Sequence, residues 1–158
     1  MSTKIPPPIV TLIFGLIIFF SKSLFPIYSF SNNVSLIFLI FGLIILITAV
    51  RSFKKHQTTI NPLNPYQASS LVNSGIFGFT RNPMYLGMLF ILLSISFKFN
   101  ILGGIIICFL FKIYITRFQI VPEEEAMEKI FKKDFIEYKK KVRLSLIHIS
   151  EPTRLRHI

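Results

Sequence analysis

The chain has one cysteine, no tryptophan, and seven acidic residues against eighteen lysines and arginines. The single cysteine, Cys108, excludes an intrachain disulfide and a cysteine metal cluster. The three histidines, His56, His148 and His157, lie far apart and form no His-x-x-x-His pair, so no metal site is expected. Neither a G-x-G-x-x-G fingerprint nor a phosphate-binding loop is present. Without tryptophan, any aromatic belt at a membrane boundary has to come from tyrosine and phenylalanine. What the chain has in excess is apolar surface. Hydrophobic residues make up 52% and charged residues 16% of its 158 positions, and the mean hydropathy is +0.62. So small a domain has too little interior to hide that surface from water, and lipid is the solvent that suits it. The net charge of +11 raises the question of nucleic acid. The charges, however, fall between and after apolar runs, which is a membrane pattern, and no nucleic-acid partner is expected.

The apolar runs are Ile9 to Phe25, Val34 to Val50, Met84 to Phe97 and Ile101 to Val121. The first two are 17 residues each, about 25 Å of helix and the short end of the spanning range. The first has a secretory signal peptide as its alternative reading, but no small-x-small cleavage site follows it. The third is shorter and needs its flank, giving a span over 84–99. It makes a helical hairpin with the fourth through a tight turn at Lys98 to Asn100. The fourth carries Lys112 near its middle and Arg117 near its end, and a charge at such depth requires a partner or water. The basic residues of Arg51 to Arg81 and of the stretch beyond Val121 fall on one side if all four runs cross. The positive-inside rule makes that side, and the N-terminus, cytoplasmic. The expected fold is an all-α, polytopic integral membrane protein with four transmembrane helices (9–25, 34–50, 84–99, 101–121) and a C-terminal amphipathic cytoplasmic helix (123–142), in one domain over 1–143. It is expected in the inner (cytoplasmic) membrane, multi-pass.

Two stretches carry chemistry. At Ser74 to Gly87 a glycine-punctuated loop runs into the third helix through Arg81-Asn82-Pro83. Asn is suited to cap a helix and Pro to its first turn, while Arg81 offers a planar fork for a carboxylate. Tyr85 and Gly87 follow at the membrane entrance, Gly87 allowing close approach of a flat group. This fits an anchoring point for a zwitterionic ligand and equally a well-capped helix with an interfacial arginine. After Val121, Pro122-Glu123-Glu124-Glu125 opens a basic helix with an apolar stripe at Met127, Ile130, Phe131, Phe135 and Tyr138. Carboxylates suit the first turn of a helix. Such a helix also suits anionic lipid headgroups, although lipid contact does not account for three successive carboxylates.

These stretches bear a resemblance. Leu71 to Gly87 (LVNSGIFGFTRNPMYLG), Tyr114 to Met127 (YITRFQIVPEEEAM), the Asn61-Pro62 region and F-x-x-Y-x-x-x-V-R from Phe135 to Arg143 resemble the isoprenylcysteine carboxyl methyltransferase and phospholipid methyltransferase superfamily. The likeness covers about Asn61 to Arg143, and its signature is RHPxYxG followed one hairpin later by a Glu-Glu pair. Arg81, Pro83, Tyr85 and Gly87 match the first block, with Asn82 where His is common. Glu123 and Glu124 match the acidic pair. Glu125 stands where Arg is frequent, and Lys132 where Gly usually follows Phe131. The resemblance implies S-adenosylmethionine as methyl donor at the cytoplasmic face, held by Arg81, Asn82, Tyr85, Gly87, Glu123 and Glu124. It also implies a lipophilic acceptor from the bilayer, either an isoprenylcysteine-like carboxylate or a phospholipid amine. Lys112 and Arg117 are candidates for meeting an anionic headgroup or acceptor carboxylate, and they equally suit helix carbonyls or lipid phosphate. A non-enzymatic membrane scaffold that keeps the family fold is the alternative. No residue is singled out as catalytic by the sequence.

From Leu144 the pattern breaks. The eleven residues Leu144 to Arg154 correspond to the translation of a transposon-type sequencing adapter. Residues 144–158 are therefore expected to be a non-native tail, and no role is drawn from His148, Glu151 or His157.

Overall fold

In the computed structural model, the described residues are 5–25, 32–56 and 71–142, and all their regular elements are helical. The Asn61-Pro62 region, Arg143 and the 144–158 tail lie outside them. Helix α1, Pro7–Phe20, begins with proline in its first turn and ends in a 3-10 turn, Ser21–Leu24. Helix α2 is Asn32–Lys55, α3 is Pro83–Phe99 and α4 is Ile101–Ile115. Helix α5, Val121–Phe131, and α6, Lys133–Lys141, follow. Pro7–Leu24, Asn32–Lys55 and Ile101–Phe131 are long and apolar enough to cross a membrane, and α3 is a shorter apolar helix of 17 residues. The molecule is an all-α membrane protein.

The short third helix is the centre of the bundle. Helix α3 packs against α1, α2 and α4, and Tyr85, Met88, Leu89, Leu92, Ser94 and Ser96 are all buried along it. The core joins Val10 and Ile18 of α1 to Leu89 and Leu92 of α3 and to Cys108, Phe111 and Ile115 of α4. The outer faces of α1, α2 and α4 expose Leu12, Leu16, Ile37, Ile44, Ile106 and Leu110, side chains suited to lipid. In lipid the apolar effect does not hold helices together, so close backbone approach and interhelical hydrogen bonds must contribute. Gly42 and Gly87 supply the first, since a Cβ on Gly42 would stand 2.8 Å from the Gly87 carbonyl oxygen. Ser35 and Ser94 supply the second, each hydroxyl donating to the other's carbonyl at 2.8 Å.

The helix ends are sorted as the loop charges require. At one end, Asn100 Nδ2 donates to Ser21 Oγ at 3.0 Å, so the first and third turns are neighbours. At the other, Gln119 Nε2 donates to the Ile5 carbonyl at 2.9 Å and Phe77 packs edge-on against Phe53. The start of α1, the end of α2, the start of α3 and the end of α4 therefore share one face of the membrane.

Two features differ from the expectation. The chain does not break at Pro122: α4 runs through a π-helical segment, Thr116–Ile120, directly into α5. Proline lacks an N–H, and its ring crowds the carbonyl four residues back, here that of Phe118. The wider turn, closed by Val121 N–H to the Thr116 carbonyl, makes the room. The helix expected over 123–142 is instead two, α5 and α6, divided at Lys132 (φ 49°, ψ −117°).

Candidate active site

The shared end gathers side chains from α3, α5 and α6. A 3-10 turn, Gly75–Gly78, leads into Arg81 and Asn82, and Pro83 opens α3. Asn82 precedes the helix but its side chain does not cap it. Its backbone N–H donates instead to Thr80 Oγ1 at 3.3 Å, and its Nδ2 is buried without a hydrogen-bond partner among the described residues. Arg81 points its guanidinium at α5, with Nη1 3.1 Å from Glu124 Oε1. Its Nε is also buried with no partner among the described residues.

One turn into α3, the Tyr85 hydroxyl donates a hydrogen bond to Glu123 Oε1. The π-helical segment sets this pairing. One extra residue in the turn before Val121 rotates α5 by about a residue's worth, roughly 100°. That rotation brings Glu123 and Glu124 toward α3. Burial, with the adjacent Glu124 carboxylate adding to it, pushes the Glu123 carboxyl up to about 8, against the opposing hydrogen bond from Tyr85.

Helix α6 covers this arrangement from the outside. Phe135, Tyr138 and Val142 are buried with Leu71, Met127 and Phe131 around them, so the amphipathic stripe packs on protein. Tyr138 donates to the Phe77 carbonyl at 2.7 Å, fastening α6 to the loop before α3. Burial pushes the Tyr138 hydroxyl up, so it remains a neutral donor. Lys139 Nζ lies 3.9 Å from Glu124 Oε2 and 4.0 Å from Glu128 Oε2.

Arg81 thus meets Glu124 and Tyr85 meets Glu123 by direct contacts across about forty residues of chain, and Asn82 adjoins them in sequence. Gly87 does not join them. A Cβ there would stand 2.8 Å from Leu46 Cγ, so the glycine serves the α2–α3 crossing. Lys112 lies eleven residues before Glu123, about 16 Å along the helix axis, outside the cluster. Arg117 is exposed on the π-helical segment Thr116–Ile120. Three residues were not singled out by the sequence. Tyr138 and Lys139 read there as part of a basic helix, and only the fold-back of α6 brings them to Glu124. Gln119 had a usable signal, an amide in an apolar run one helical turn before Glu123. It is 1% exposed, and its Oε1 has no hydrogen-bond partner among the described residues.

The phospholipid methyltransferase family matches residues 30–134. No curated protein and no solved structure matches the chain.

Proposed function

The chain belongs to the phospholipid methyltransferase family and is a membrane methyltransferase, and from that premise we propose that it moves a methyl group from S-adenosylmethionine to a lipophilic acceptor at the cytoplasmic face of the inner membrane. The acceptor class is a phospholipid amine or an isoprenylcysteine-like carboxylate.

The observation that carries this reading is the set of buried donors at the base of α3. Arg81 Nε and Asn82 Nδ2 have no acceptor among the described residues. A buried donor left in that state costs about 1–3 kcal/mol. A ligand carboxylate placed there accepts from both and adds charge complementarity to the guanidinium. Glu124, beside Arg81, is suited to the ligand's ammonium or ribose hydroxyls, and Tyr85 with Glu123 borders the same space. The residues present therefore fit S-adenosylmethionine, which carries both charges. When bound it supplies an electrophilic methyl group on a sulfonium. The protein's own work is alignment and exclusion of water, the main demands of an in-line displacement. Helix α6, fastened by Tyr138 and Phe135, suits the second role. Lys112 and Arg117, away from the donor residues, belong in this reading to the headgroups of the surrounding bilayer or to an anionic part of the acceptor.

Equilibrium binding of labelled S-adenosylmethionine to the purified protein in nanodiscs tests it. Glu124→Gln keeps shape and removes charge, and loss of one charge-assisted bond is worth roughly 1.5–3 kcal/mol, about ten- to a hundredfold in affinity. Lys129→Gln, on an exposed position of the same helix, leaves affinity within about twofold, since an exposed charge couples only weakly. Thermal melting of both variants confirms that they are folded. Absence of saturable binding to the wild type, or folded variants that bind alike, refutes the assignment.

A further inference from the structure

The turn that leads into α3 presents one large apolar side chain to its surroundings. Phe79 is 84% exposed, more than any other large apolar side chain among the described residues, while its near neighbours Phe77 and Thr80 are buried. The main chain around it is fixed. The Phe79 and Thr80 N–H groups both donate to the Ile76 carbonyl, at 3.1 and 3.2 Å, and Tyr138 of α6 donates to the Phe77 carbonyl at 2.7 Å. We propose that this turn is a membrane-surface anchor, with the Phe79 ring seated among phospholipid acyl chains just below the headgroups of the adjoining leaflet. The inference goes beyond the methyl-transfer reading and does not depend on it.

A single exposed phenylalanine is ordinary on a water-facing surface, and depth is what gives this one a partner. Helix α2 is apolar from Val34 to Val50 and charged from Arg51 onward. Phe77 and Val72 form one buried cluster with Ala49, and Phe53, Ile76 and Met84 pack around it. The Phe77 ring meets Phe53 edge-on at 5.1 Å. The turn therefore lies alongside the last apolar turn of α2 and the first turn of α3, where both helices reach the membrane boundary. It folds back to that boundary rather than extending away from it. Aromatic side chains concentrate at this level, one end of the ring in hydrocarbon and the other near the headgroups.

Charge and area both favour lipid over a protein partner. Arg51, Lys54 and Lys55 are exposed on the last turns of α2, and no acidic residue occurs between Arg51 and Arg81. Cations beside an inserted apolar group attract headgroup phosphates, and a carboxylate there would repel them. A lone aromatic ring offers about 200 Å² of apolar surface. A stable protein interface takes on the order of 800 Å² from each partner, whereas a bilayer accepts one ring at a time. The turn is thus moored twice, to α6 through Tyr138 and to lipid through Phe79, and it carries Arg81 two residues later.

The chain has no tryptophan, so Phe79→Trp carries its own reporter. Two references bracket it in the same nanodiscs. Ile47→Trp lies on the exposed apolar face of α2, and Asn73→Trp lies exposed beside Asp134, Glu137 and Lys141 of α6. Phospholipids brominated near the top of their acyl chains are expected to quench Phe79→Trp as strongly as Ile47→Trp. Its emission should be blue-shifted from that of Asn73→Trp, with little quenching by acrylamide. Behaviour like Asn73→Trp overturns the inference, because the ring then stands in water. Quenching by neither agent overturns it equally, because protein then covers the ring. If melting shows that Phe79→Trp is not folded, a spin label on Phe79→Cys in a Cys108→Ala background decides instead. Relaxation by oxygen that exceeds relaxation by a water-soluble nickel chelate supports lipid contact, and the reverse overturns it. None of these readouts involves S-adenosylmethionine, so the methyl-transfer reading stands or falls separately.

Discussion

Lys132 is the one non-glycine residue with positive φ among the described residues, at φ 49° and ψ −117°. This is the corner conformation that glycine takes freely and an L side chain resists. The strain is local, because the side chain is exposed and touches nothing that argues for lysine. Lys132→Gly is expected to stabilise the protein by about 1 kcal/mol, the order of the penalty for a residue held in such a region, read as a higher melting temperature in nanodiscs. A lower one would mean that the corner relaxes for lysine at no cost. Glu123 gives a second residue-scale prediction. Its carboxyl holds a proton up to about 8 in the folded chain against an ordinary 4.5. The folded state therefore binds the proton more tightly than the unfolded one, and this contribution to stability is complete below about 4.5 and is lost as pH rises through about 8. The melting temperature should fall across that window in the wild type. In Glu123→Gln, which cannot ionise, that part of the slope should vanish.

Among the elements, the α2–α3 contact owes its closeness to glycine. At Gly42 an added methyl meets a backbone oxygen at 2.8 Å, which cannot turn aside, whereas at Gly15 it meets the mobile end of Ile95 at 3.2 Å. Gly42→Ala must push α3 away and is expected to cost about 1–3 kcal/mol, the range for overpacking. Gly15→Ala should cost clearly less. Because α3 carries Arg81 and Tyr85 at its base, Gly42→Ala should also weaken S-adenosylmethionine binding, and unchanged binding with normal melting would show that the bundle absorbs the methyl. The α4–α5 join is the other decisive element. Its π-helical turn both accommodates Pro122 and sets the rotation of Glu123 and Glu124, so the proline and the acidic pair are one device. The amphipathic stripe from Met127 to Tyr138 suited an anionic lipid surface in the sequence. The structure selects protein, with Phe135 and Tyr138 buried and Lys133, Lys140 and Lys141 left outward.

At the scale of the molecule, the antiparallel arrangement places Ser23 at one end and Lys55 at the other, both exposed. The positive-inside rule predicts that the Lys55 end is cytoplasmic. In a Cys108→Ala background, a membrane-impermeant thiol reagent should label Ser23→Cys in intact cells. It should reach Lys55→Cys only after permeabilisation. The opposite pattern would invert the orientation and move the site to the other face.

The apolar runs, their number and the grouping of basic segments on one side were legible in the sequence because lipid imposes length and polarity on each segment separately. The meeting of Arg81 with Glu124 was also within reach. A turn as short as Lys98 to Asn100 forces the far ends of α3 and α4 to be neighbours. Tertiary structure alone decided the rest. Glu123 and Glu124 are adjacent in sequence and identical in chemistry. They differ only in what faces them, Tyr85 for one and Arg81 with Lys139 for the other. Gly87 looked like part of the site because it stands in the same motif as Tyr85, yet two residues along a helix is about 200° of rotation, and it faces α2. Periodicity reports which residues share a face of one helix, whereas the environment of a charge depends on the side chains that other helices bring to it, and those are placed only when the bundle closes.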